Sequence, residues 1–326
     1  MPHPIISGTS RRFCPADVDV VILNYRVGLL AAAAAQSAHE NGAVSILVVD
    51  NHSPDDSLTT LKQEVSATTM ILPLAANIGF SAGNNQGAAL GRNPFLLFMN
   101  PDVVLHPQAL QLMLDVFNVN PGVGIVGPAL VGITGEPQPS AYFFIKPLRI
   151  CNSLFGFDKV AGKFNLPFLS GNADLKRNGS YSGIVESLYG ACFLVRRDAF
   201  LSVNGFDEDF FLYCEETDLF FRLSKAGWKA YRCAEAQATH HHGQSAQQVS
   251  RLSLLLMNES HRLYARKHFS FFGRILTAIA FIFGLCLRIV FSRTTQARAN
   301  YFSALGIWLG WTPSVDPRKR RRPDIV

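Results

Sequence analysis

The stretch Val18–Asn51, VDVVILNYRVGLLAAAAAQSAHENGAVSILVVDN, decides the fold class. It opens with VDVVILNY, a continuous apolar run that ends in polar residues, which is typical of a strand buried on both faces. A helix-forming segment follows and is closed by Gly42 at its C-cap. VSILVVDN is then a second buried strand, which ends at Asp50 and Asn51. The stretch therefore predicts a strand–helix–strand unit of a parallel sheet.

The strand–helix alternation continues along the next part of the chain. Ser53 is predicted to cap a second helix, with Pro54 at the first helical position. TTMILPLA is a weaker strand, NIGFSAGNNQG is a loop that leads into a helix, and PFLLFMNPD is a further strand before the helical HPQALQLMLDVFN. The pattern predicts a Rossmann-like α/β fold with a mostly parallel sheet flanked by helices. Ligands of such sheets bind outside the carboxyl ends of the strands, and Asp50, Asn77 and Asp102 each follow a predicted strand.

The composition is that of a globular, intracellular protein. Of the 326 residues, 48% are hydrophobic and 17% are charged, which allows a sizeable core and excludes wholesale disorder. The six scattered cysteines include no C-x-x-C pair, which argues against a structural zinc site and fits a reducing cytosol. The amino terminus lacks the apolar region of a secretory signal. The basic run Arg318–Arg322 is either a solvated tail or a contact to anionic lipid or nucleic acid.

One segment complicates a fully soluble interpretation. Between Arg274 and Arg288 lies ILTAIAFIFGLCL, which has no charged residue, with FSFF before it and IVF after it. A spanning helix needs about 20 apolar residues, so the uncharged segment is shorter than a typical span. Its aromatic residues and basic flanks favour a helix that lies on a membrane, while a core helix and a true span stay open as alternatives.

Three clusters of side chains could carry chemistry. Asp102, in Asn-Pro-Asp, is either part of a turn or a carboxylate presented to a metal ion. The acidic and aromatic DEDFFLYCEETDL either complements a helix dipole or holds a carboxylate whose raised pKa suits a general base. The run ATHHHGQS is either a surface accident or the source of one imidazole for a metal beside a carboxylate. The sequence has no G-x-G-x-x-G after the first strand, no P-loop and no H-E-x-x-H, which argues against dinucleotide oxidoreductases, P-loop proteins and zinc proteases.

Seven stretches together resemble the glycosyltransferases of family 2, which have the GT-A fold, and in particular their rhamnosyltransferase-like branch. They occur in the family's order across residues 17–247: VDVVILNY, ILVVDNHSPDDS, NIGFSAGNNQG, LLFMNPDVVLHPQAL, YGACFLVRRDAF, GFDEDFFLYCEETDLFFRLSKAGW and ATHHHGQS. The resemblance implies an inverting transfer of a sugar such as rhamnose from a nucleotide diphosphate sugar to a hydroxyl of a polysaccharide or lipid-linked glycan. It also implies a GT-A catalytic domain at 17–250. Outside the matching stretches, the sequence predicts a flexible terminus at 1–16 and a C-terminal helical segment with a basic tail at 251–326, for which membrane association is one of the alternatives given above.

The resemblance assigns roles to individual residues. Asp102 would be the main side-chain ligand of a Mg²⁺ or Mn²⁺ ion, because Asn100 replaces the first carboxylate of the family's Asp-x-Asp. His240 matches the family's metal-proximal histidine, with His242 as the alternative. Glu216 occupies the position of the general base, where it replaces an aspartate and keeps the carboxylate. The nucleotide-sugar site would comprise Asn24, Tyr25, Asp50, Asn77, Gly79, Asn84, Asn100 and Asp102, and the acceptor side would be supported by Glu215, Asp218 and Gly190.

Two other functions stay open at this point. A non-catalytic GT-A-like module that binds a nucleotide sugar or a membrane partner is the main alternative, although the retained Asp102, Glu216 and Asp218 argue against it. A nucleotidyltransferase would need a Gly-, Lys- or Arg-rich loop after the first strand, and NYRVGLLAAAAA offers little of that. The expected location is the cytoplasmic face of the inner membrane, with a peripheral membrane contact and no nucleic-acid partner.

Overall fold

The structure, a computed structural model, describes residues 12–154, 181–241, 251–316 and 318. The strands in these ranges are β1 (Val18–Asn24), β2 (Ser45–Asp50), β3 (Met70–Pro73), β4 (Phe95–Met99), β5 (Val103–Leu105), β6 (Val123–Val131), β7 (Pro137–Gln138), β8 (Ala141–Tyr142), β9 (Gly183–Val185), β10 (Ser187–Leu188), β11 (Cys192–Arg196) and β12 (Lys229–His240). The α-helices are α1 (Gly28–Glu40), α2 (Ser57–Glu64), α3 (Phe80–Leu90), α4 (Ala109–Val119), α5 (Pro147–Leu154), α6 (Arg197–Ser202), α7 (Glu215–Lys225), α8 (Arg251–His268), α9 (Phe271–Phe291) and α10 (Thr295–Leu309).

Most strands belong to one mixed sheet with the order β3-β2-β1-β4-β11-β6-β12-β5. The strands β3, β2, β1 and β4 are parallel, β11 is antiparallel to both of its neighbours, and β12 is parallel to β6. The carboxyl ends of β1, β2 and β4 therefore meet at one edge of the sheet, where β11 begins and β12 ends. The predicted, mostly parallel sheet flanked by helices is confirmed, and β11 interrupts its parallel order.

Alternate residues of the central strands supply two apolar layers. In β1, Val20 and Ile22 pack in the layer shared with α1 and α4, while Val21 and Leu23 pack in the layer shared with α3, α6 and α7. All seven residues of β1 are buried. Because successive side chains of a strand point to opposite faces, a strand covered by helices on both sides needs a continuous apolar run. This requirement explains the run VDVVIL in β1.

The two predicted helix ends in the first part of the chain had different outcomes. Gly42 has φ +87 and its N–H donates to the His39 carbonyl at 2.8 Å, as expected for a glycine that ends a helix. The predicted start at Ser53 was wrong, because α2 begins at Ser57. The Ser53 hydroxyl instead donates to the Asp50 carboxylate at 2.6 Å. Asp50 is buried, and a buried carboxylate requires donors, so Ser53 serves Asp50 and not a helix end.

The predicted helices at the carboxyl-terminal end are α8, α9 and α10. They form a third apolar cluster together with residues of the segment before α7, among them Phe210, Phe211 and Cys214. The Ser260 hydroxyl of α8 also donates to the Leu212 carbonyl at 2.7 Å. The three helices therefore hold the segment that leads into α7. Among the described residues, α9 is the helix that is long and apolar enough to cross a membrane, judged by length and composition only. Its mean hydropathy is 2.1.

Candidate active site

Asp50 lies at the end of β2, fixed by its neighbours. Asn24 at the end of β1 donates from Nδ2 to Asp50 Oδ1 at 2.8 Å, and the Ser53 N–H donates to Oδ2 at 3.1 Å. Asn24 and Asp50 are directly paired in the parallel register of β1 and β2, which brings the two side chains together. Tyr25 follows on the exposed side, 41% accessible, with Arg26 against its ring. The predicted grouping of these residues at one sheet edge is therefore seen in the structure, while their role in binding stays a prediction.

The loop that contains Asn77 and Gly79 is organised by Asn51, which the sequence did not single out. Asn51 donates to the Asn77 side chain at 3.0 Å and accepts from the Ile78 N–H at 2.9 Å. Gly79 has φ +89, and a Cβ on it would lie 2.7 Å from Phe211 atoms, so only glycine fits. The Asn84 side chain is buried and donates to a carbonyl of its own helix, α3, at 3.0 Å.

Asp102 and His240 come together at the edge of the sheet. His240 Nε2 lies 3.6 Å from Asp102 Oδ1, and the His241 N–H donates to the Asp102 carbonyl at 2.9 Å. His240 Nδ1 lies 3.0 Å from Gln138 Oε1, an acceptor, so Nδ1 carries a proton and Nε2 points to Asp102. The Asn100 N–H donates to the Ala191 carbonyl at 2.7 Å, which ties the end of β4 to the start of β11. The alternative His242 lies outside the described residues.

The Asp102–His240 pair suits a divalent cation that arrives with a diphosphate. No three His, Cys, Asp or Glu side chains converge on one point within the described ranges. Mg²⁺ commonly keeps several waters and takes one or two carboxylates plus substrate phosphate oxygens, and Mn²⁺ also accepts imidazole. A carboxylate oxygen and an imidazole nitrogen on the same side of the sheet edge therefore fit such an ion. Full coordination would depend on the substrate.

Glu216 occupies the first turn of α7 and is partly exposed. A Cβ placed on Gly190 would lie 2.5 Å from Glu216 Cγ, so the backbone just before β11 runs directly against the Glu216 side chain. Tyr213 and Cys214, just before α7, have φ +72 and +64, a left-handed conformation that is strained for these residue types. This backbone conformation sets the direction of the first turn of α7, so that Glu216 lies against Gly190.

The two adjacent carboxyl groups of α7 differ in their affinity for a proton because their surroundings differ. Burial raises the pKa of Glu216, and burial together with the charge of Glu216 raises the pKa of Glu215 further. Glu215 is 6% exposed, and its Oε2 has no hydrogen-bond partner among the described residues. Glu215 therefore holds a proton at pH values where Glu216 is ionised.

Tyr189 connects the two halves of the site, and no feature of its local sequence singles it out beyond its place beside Gly190. Burial raises the pKa of the Tyr189 hydroxyl, and the charges of Glu216 and Asp102 raise it further. The Tyr189 ring also lies 5.5 Å from the His240 ring. Tyr189 is therefore within electrostatic reach of both carboxylates.

Asp218 is fully buried and is bound by three basic side chains. Its carboxylate accepts from Arg222 Nε at 2.6 Å, Lys267 Nζ at 2.6 Å and His268 Nε2 at 2.7 Å. Burial alone would raise the pKa of Asp218, but the bonds from these side chains lower it below the ordinary value. Lys267 and His268 end α8, so Asp218 joins α7 to α8. The side chain is thus directed to the C-terminal helices.

The sequence and the fold of the chain are similar to those of known proteins. Glycosyl transferase family 2 matches residues 20–202. The chain is 33% identical over 215 residues to the N-acetylglucosaminyl-diphospho-decaprenol L-rhamnosyltransferase of Mycobacterium tuberculosis, covering 62% of this chain and 68% of that relative. Among solved structures, it is similar to the mannosyltransferase PcManGT of Pyrobaculum calidifontis in complex with GDP-Man and Mn²⁺, with a TM-score of 0.52, 11% identity and coverage of 94% of this chain and 80% of that one. It is also similar to GalNAc-T7 with UDP, GalNAc and Mn²⁺, with a TM-score of 0.56, 10% identity and coverage of 90% and 56%.

The family match covers more than half of the chain. It includes the ends of β1, β2 and β4 and the Tyr189–Gly190 pair, whereas Glu216 and His240 lie beyond its last residue. The structural likeness covers 90% or more of this chain and supports the GT-A fold predicted from the sequence. The predicted resemblance is confirmed: the chain is a member of glycosyl transferase family 2 and has the GT-A fold.

Proposed function

We propose that this protein transfers a sugar, with inversion, from a nucleoside diphosphate sugar to a hydroxyl group of a lipid-linked glycan. The observation that carries the proposal is the position of Glu216 in the first turn of α7, against Gly190. Tyr189 lies within electrostatic reach of Glu216 and of Asp102, so the two carboxylates border one site. A base on one side and a diphosphate anchor on the other are what an inverting displacement requires.

Glu216 is the general base in this mechanism. It accepts the proton of the acceptor hydroxyl as that oxygen forms a bond to C1 of the donor sugar. The bond between C1 and the diphosphate oxygen breaks on the opposite face, and its electron pair leaves with the nucleoside diphosphate. Because burial raises the pKa of Glu216, its carboxylate takes up a proton more readily than an exposed glutamate.

Asp102 and His240 face the departing diphosphate. They would hold a Mg²⁺ or Mn²⁺ ion, which supplies Lewis-acid neutralisation of the charge that develops on the leaving group. Gln138 orients the His240 ring so that Nε2 points to Asp102. Two structurally similar glycosyltransferases contain Mn²⁺, which supports a divalent cation in this chain.

The nucleotide of the donor binds along the ends of β1 and β2. Asn24 and Ser53 hold the carboxylate of Asp50 from one side. The carboxylate is then oriented to accept a hydrogen bond from the nucleobase of the donor. Asn77 and Gly79 border the same edge. A rhamnose donor such as dTDP-rhamnose is favoured by the 33% identity to a rhamnosyltransferase.

The acceptor class follows from the same relative, which acts on an N-acetylglucosaminyl-diphospho-decaprenol by its name. We propose a polyprenyl-diphosphate-linked glycan as the acceptor. Such a lipid is confined to a membrane, so the protein works at the cytoplasmic face of the membrane and touches it peripherally through the C-terminal helices.

A transfer assay with the purified full chain tests the proposal. Nucleotide sugars with dTDP, UDP or GDP are screened for a thermal shift with and without Mg²⁺ or Mn²⁺, and the donor that binds is combined with a polyprenyl-diphosphate N-acetylglucosamine acceptor. We expect transfer by the wild type, with the anomeric configuration of the product opposite to that of the donor. Asp102→Ala and Glu216→Ala are expected to lose about a hundredfold or more in kcat.

Asp209→Ala is the matched control, because Asp209 is an exposed carboxylate in the same acidic segment as Glu216. It should keep wild-type transfer. Full activity in Asp102→Ala and Glu216→Ala would show that the roles are assigned wrongly. Donor binding without transfer to any acceptor in the panel would favour a non-catalytic nucleotide-sugar-binding module.

A further inference from the structure

The helix α9 has an apolar face that no described residue covers. Nine large apolar side chains are exposed along its full length, between 38% and 79% accessible. They are Phe271, Phe272, Ile275, Leu276, Ile279, Phe283, Leu287, Val290 and Phe291. Their spacing of three and four residues places them on one side of the helix, over a length of about 30 Å. A contiguous apolar surface of this size marks a contact with a partner or a membrane.

The opposite face of α9 is packed on protein. Its buried residues include Thr277, Ala280 and Phe281, and the Phe281 ring stacks on Trp308 of α10 with centroids 4.3 Å apart. The helix also packs against α5 and α8. The half of α9 that remains open is therefore a stripe parallel to the helix axis.

This packing bears on whether α9 spans a membrane or lies on it. Its neighbour α8 carries Arg262, Arg266 and Lys267, and charged side chains are costly within hydrocarbon. A spanning α9 would have to separate from α8 and α10 or draw these charges into the bilayer. A helix lying in the plane of the membrane surface needs only its exposed half to be apolar, as observed.

The charge around α9 identifies the kind of surface that it fits. From residue 260 to residue 315 the chain has no Asp or Glu. The same segment contains seven basic residues: Arg262, Arg266, Lys267, Arg274, Arg288, Arg293 and Arg298. Of these, only Lys267 pairs with a carboxylate among the described residues. Trp311, 71% exposed, lies just after α10, and tryptophan favours the membrane–water interface.

A second copy of this chain is a poorer occupant of the α9 face. A twofold contact brings the same patch of each copy together, so it would set these arginines of one copy against those of the other. Like charges at a contact are repulsive. An anionic lipid surface complements the same pattern.

We infer that α9 lies flat in the headgroup region of an anionic phospholipid membrane, with its exposed apolar stripe among the acyl chains and the surrounding arginines against lipid phosphates. This inference deepens the proposed function, because it names the surface by which the protein would reach a lipid-linked acceptor. The contact itself requires neither donor nor acceptor. It can therefore be measured independently of transfer.

Vesicle co-sedimentation with the purified full chain tests the contact. We expect binding to vesicles of equal parts phosphatidylglycerol and phosphatidylcholine, weaker binding to phosphatidylcholine alone, and weakening by salt. The double variant Ile279→Glu/Phe283→Glu should reduce partitioning to anionic vesicles by roughly tenfold or more, since it places two carboxylates on the inserted stripe. Because both side chains are exposed, its melting temperature should stay close to that of the wild type.

The matched control is Val119→Glu/Leu201→Glu, which makes the same change at two exposed apolar residues outside α8–α10. It should bind vesicles as the wild type does. Equal vesicle binding by the Ile279→Glu/Phe283→Glu variant would overturn the inference. A lipid-free dimer that only this variant dissociates would identify a second copy as the occupant and would also overturn it.

The orientation of α9 has a test of its own. Arg266→Cys and Thr295→Cys place a thiol at either side of α9, in a chain whose Cys14, Cys151 and Cys286 are replaced by Ser. Both thiols should react with a membrane-impermeant maleimide added outside the vesicles. Protection of either thiol until detergent is added would show that α9 crosses the bilayer.

The two proposals can fail separately. Transfer to a soluble acceptor analogue without vesicle binding would remove the membrane contact and leave the proposed activity intact. Vesicle binding that depends on the α9 stripe, without transfer to any acceptor, would remove the activity and leave the contact.

Discussion

At the scale of single residues, the neighbouring carboxyl groups Glu215 and Glu216 have different surroundings. Glu215 is buried, and its pKa is raised well above the ordinary value by burial and by the charge of Glu216. A carboxyl group whose pKa is raised in this way holds its proton to a higher pH than an ordinary glutamate does. Glu216 is more accessible and stands against Gly190, so it is the member of the pair that can meet an acceptor hydroxyl.

This difference predicts opposite effects for two chemically identical substitutions. Glu215→Gln should keep transfer within about tenfold of wild type, because glutamine has the shape and neutrality of the protonated acid. Glu216→Gln should lose about a hundred- to ten-thousandfold in kcat, since an amide cannot accept the acceptor proton. Steady-state transfer kinetics measure both effects.

The pH dependence of kcat/KM gives a second readout of the same pair. The base acts in its ionised form, so activity should fall as pH decreases through the raised pKa of Glu216, with a midpoint above the ordinary glutamate value of 4.5. In Glu215→Gln the midpoint should stay close to that of the wild type, because the neutral amide replaces a carboxyl group that already holds its proton where Glu216 ionises. A large shift of the midpoint, or a larger loss in Glu215→Gln than in Glu216→Gln, would contradict this assignment.

Several residues of the site could be predicted from local sequence, and others could not. Asp50 ends the apolar strand β2 and Asp102 comes three residues after the apolar strand β4, which is a local pattern, and both lie at the expected edge. Gln138 and Tyr189 reach the site from distant parts of the chain, and nothing in their immediate sequence indicates a partner such as His240. Their roles depend on tertiary contacts, which only the structure provides.

At the scale of elements, α7 is held in place by α8 through Asp218. The carboxylate is fully buried and bound by Lys267 and His268 of α8 and by Arg222 of its own helix. Lys267 also binds Asp207 in the segment before α7. The two acidic residues that α8 holds therefore flank the strained backbone at Tyr213 and Cys214 that leads into Glu216.

Removing the Lys267 ammonium should loosen the start of α7. Lys267→Met keeps the aliphatic stem and removes the bonds to Asp218 and Asp207, and hydrogen bonds to charged groups contribute about 1.5–3 kcal/mol each. We expect the free energy of unfolding, measured by urea denaturation, to fall by about that amount, and we expect a lower kcat. Arg266→Met is the matched control, because it removes one positive charge from the adjacent, exposed position. Equal stability of the two variants would show that the contact with Asp218 does not hold α7.

The elements also show where propensity was a sufficient guide and where it was not. Apolar runs predicted β1, β2 and β4. A strand covered on both faces is apolar at nearly every position, so its sequence is a recognisable continuous run. Ser53 has the sequence features of a helix cap, yet the carboxylate of Asp50 competes for its hydroxyl. For α9, length and hydropathy left its relation to the membrane open. In the structure one face of α9 packs against α10, so its exposed apolar surface is a stripe along one side of the helix and does not surround it.

At the scale of the whole molecule, the segment that leads into α7 and the C-terminal helices share an apolar cluster. Phe210, Phe211 and Cys214, which precede α7, are buried in the same cluster as residues of α8, α9 and α10. The Phe80 N–H, next to Gly79, donates to the Phe211 carbonyl at 2.7 Å. The predicted boundary at residue 250 therefore falls between two parts that depend on each other for the shape of the active site.

A chain that ends at residue 250 is expected to lose that shape. Burial of a large apolar side chain contributes about 1.5–3 kcal/mol, so exposing Phe210 and Phe211 and removing two partners of Asp218 should leave the segment before α7 disordered. Limited proteolysis should then cut between Asp207 and Cys214, and transfer should be lost even with a soluble acceptor. A chain that ends at Arg318 keeps all three helices and should resist cleavage as the full chain does. If the chain ending at residue 250 were equally resistant and active, residues 17–250 would be an independent catalytic domain and the C-terminal helices would serve the membrane alone.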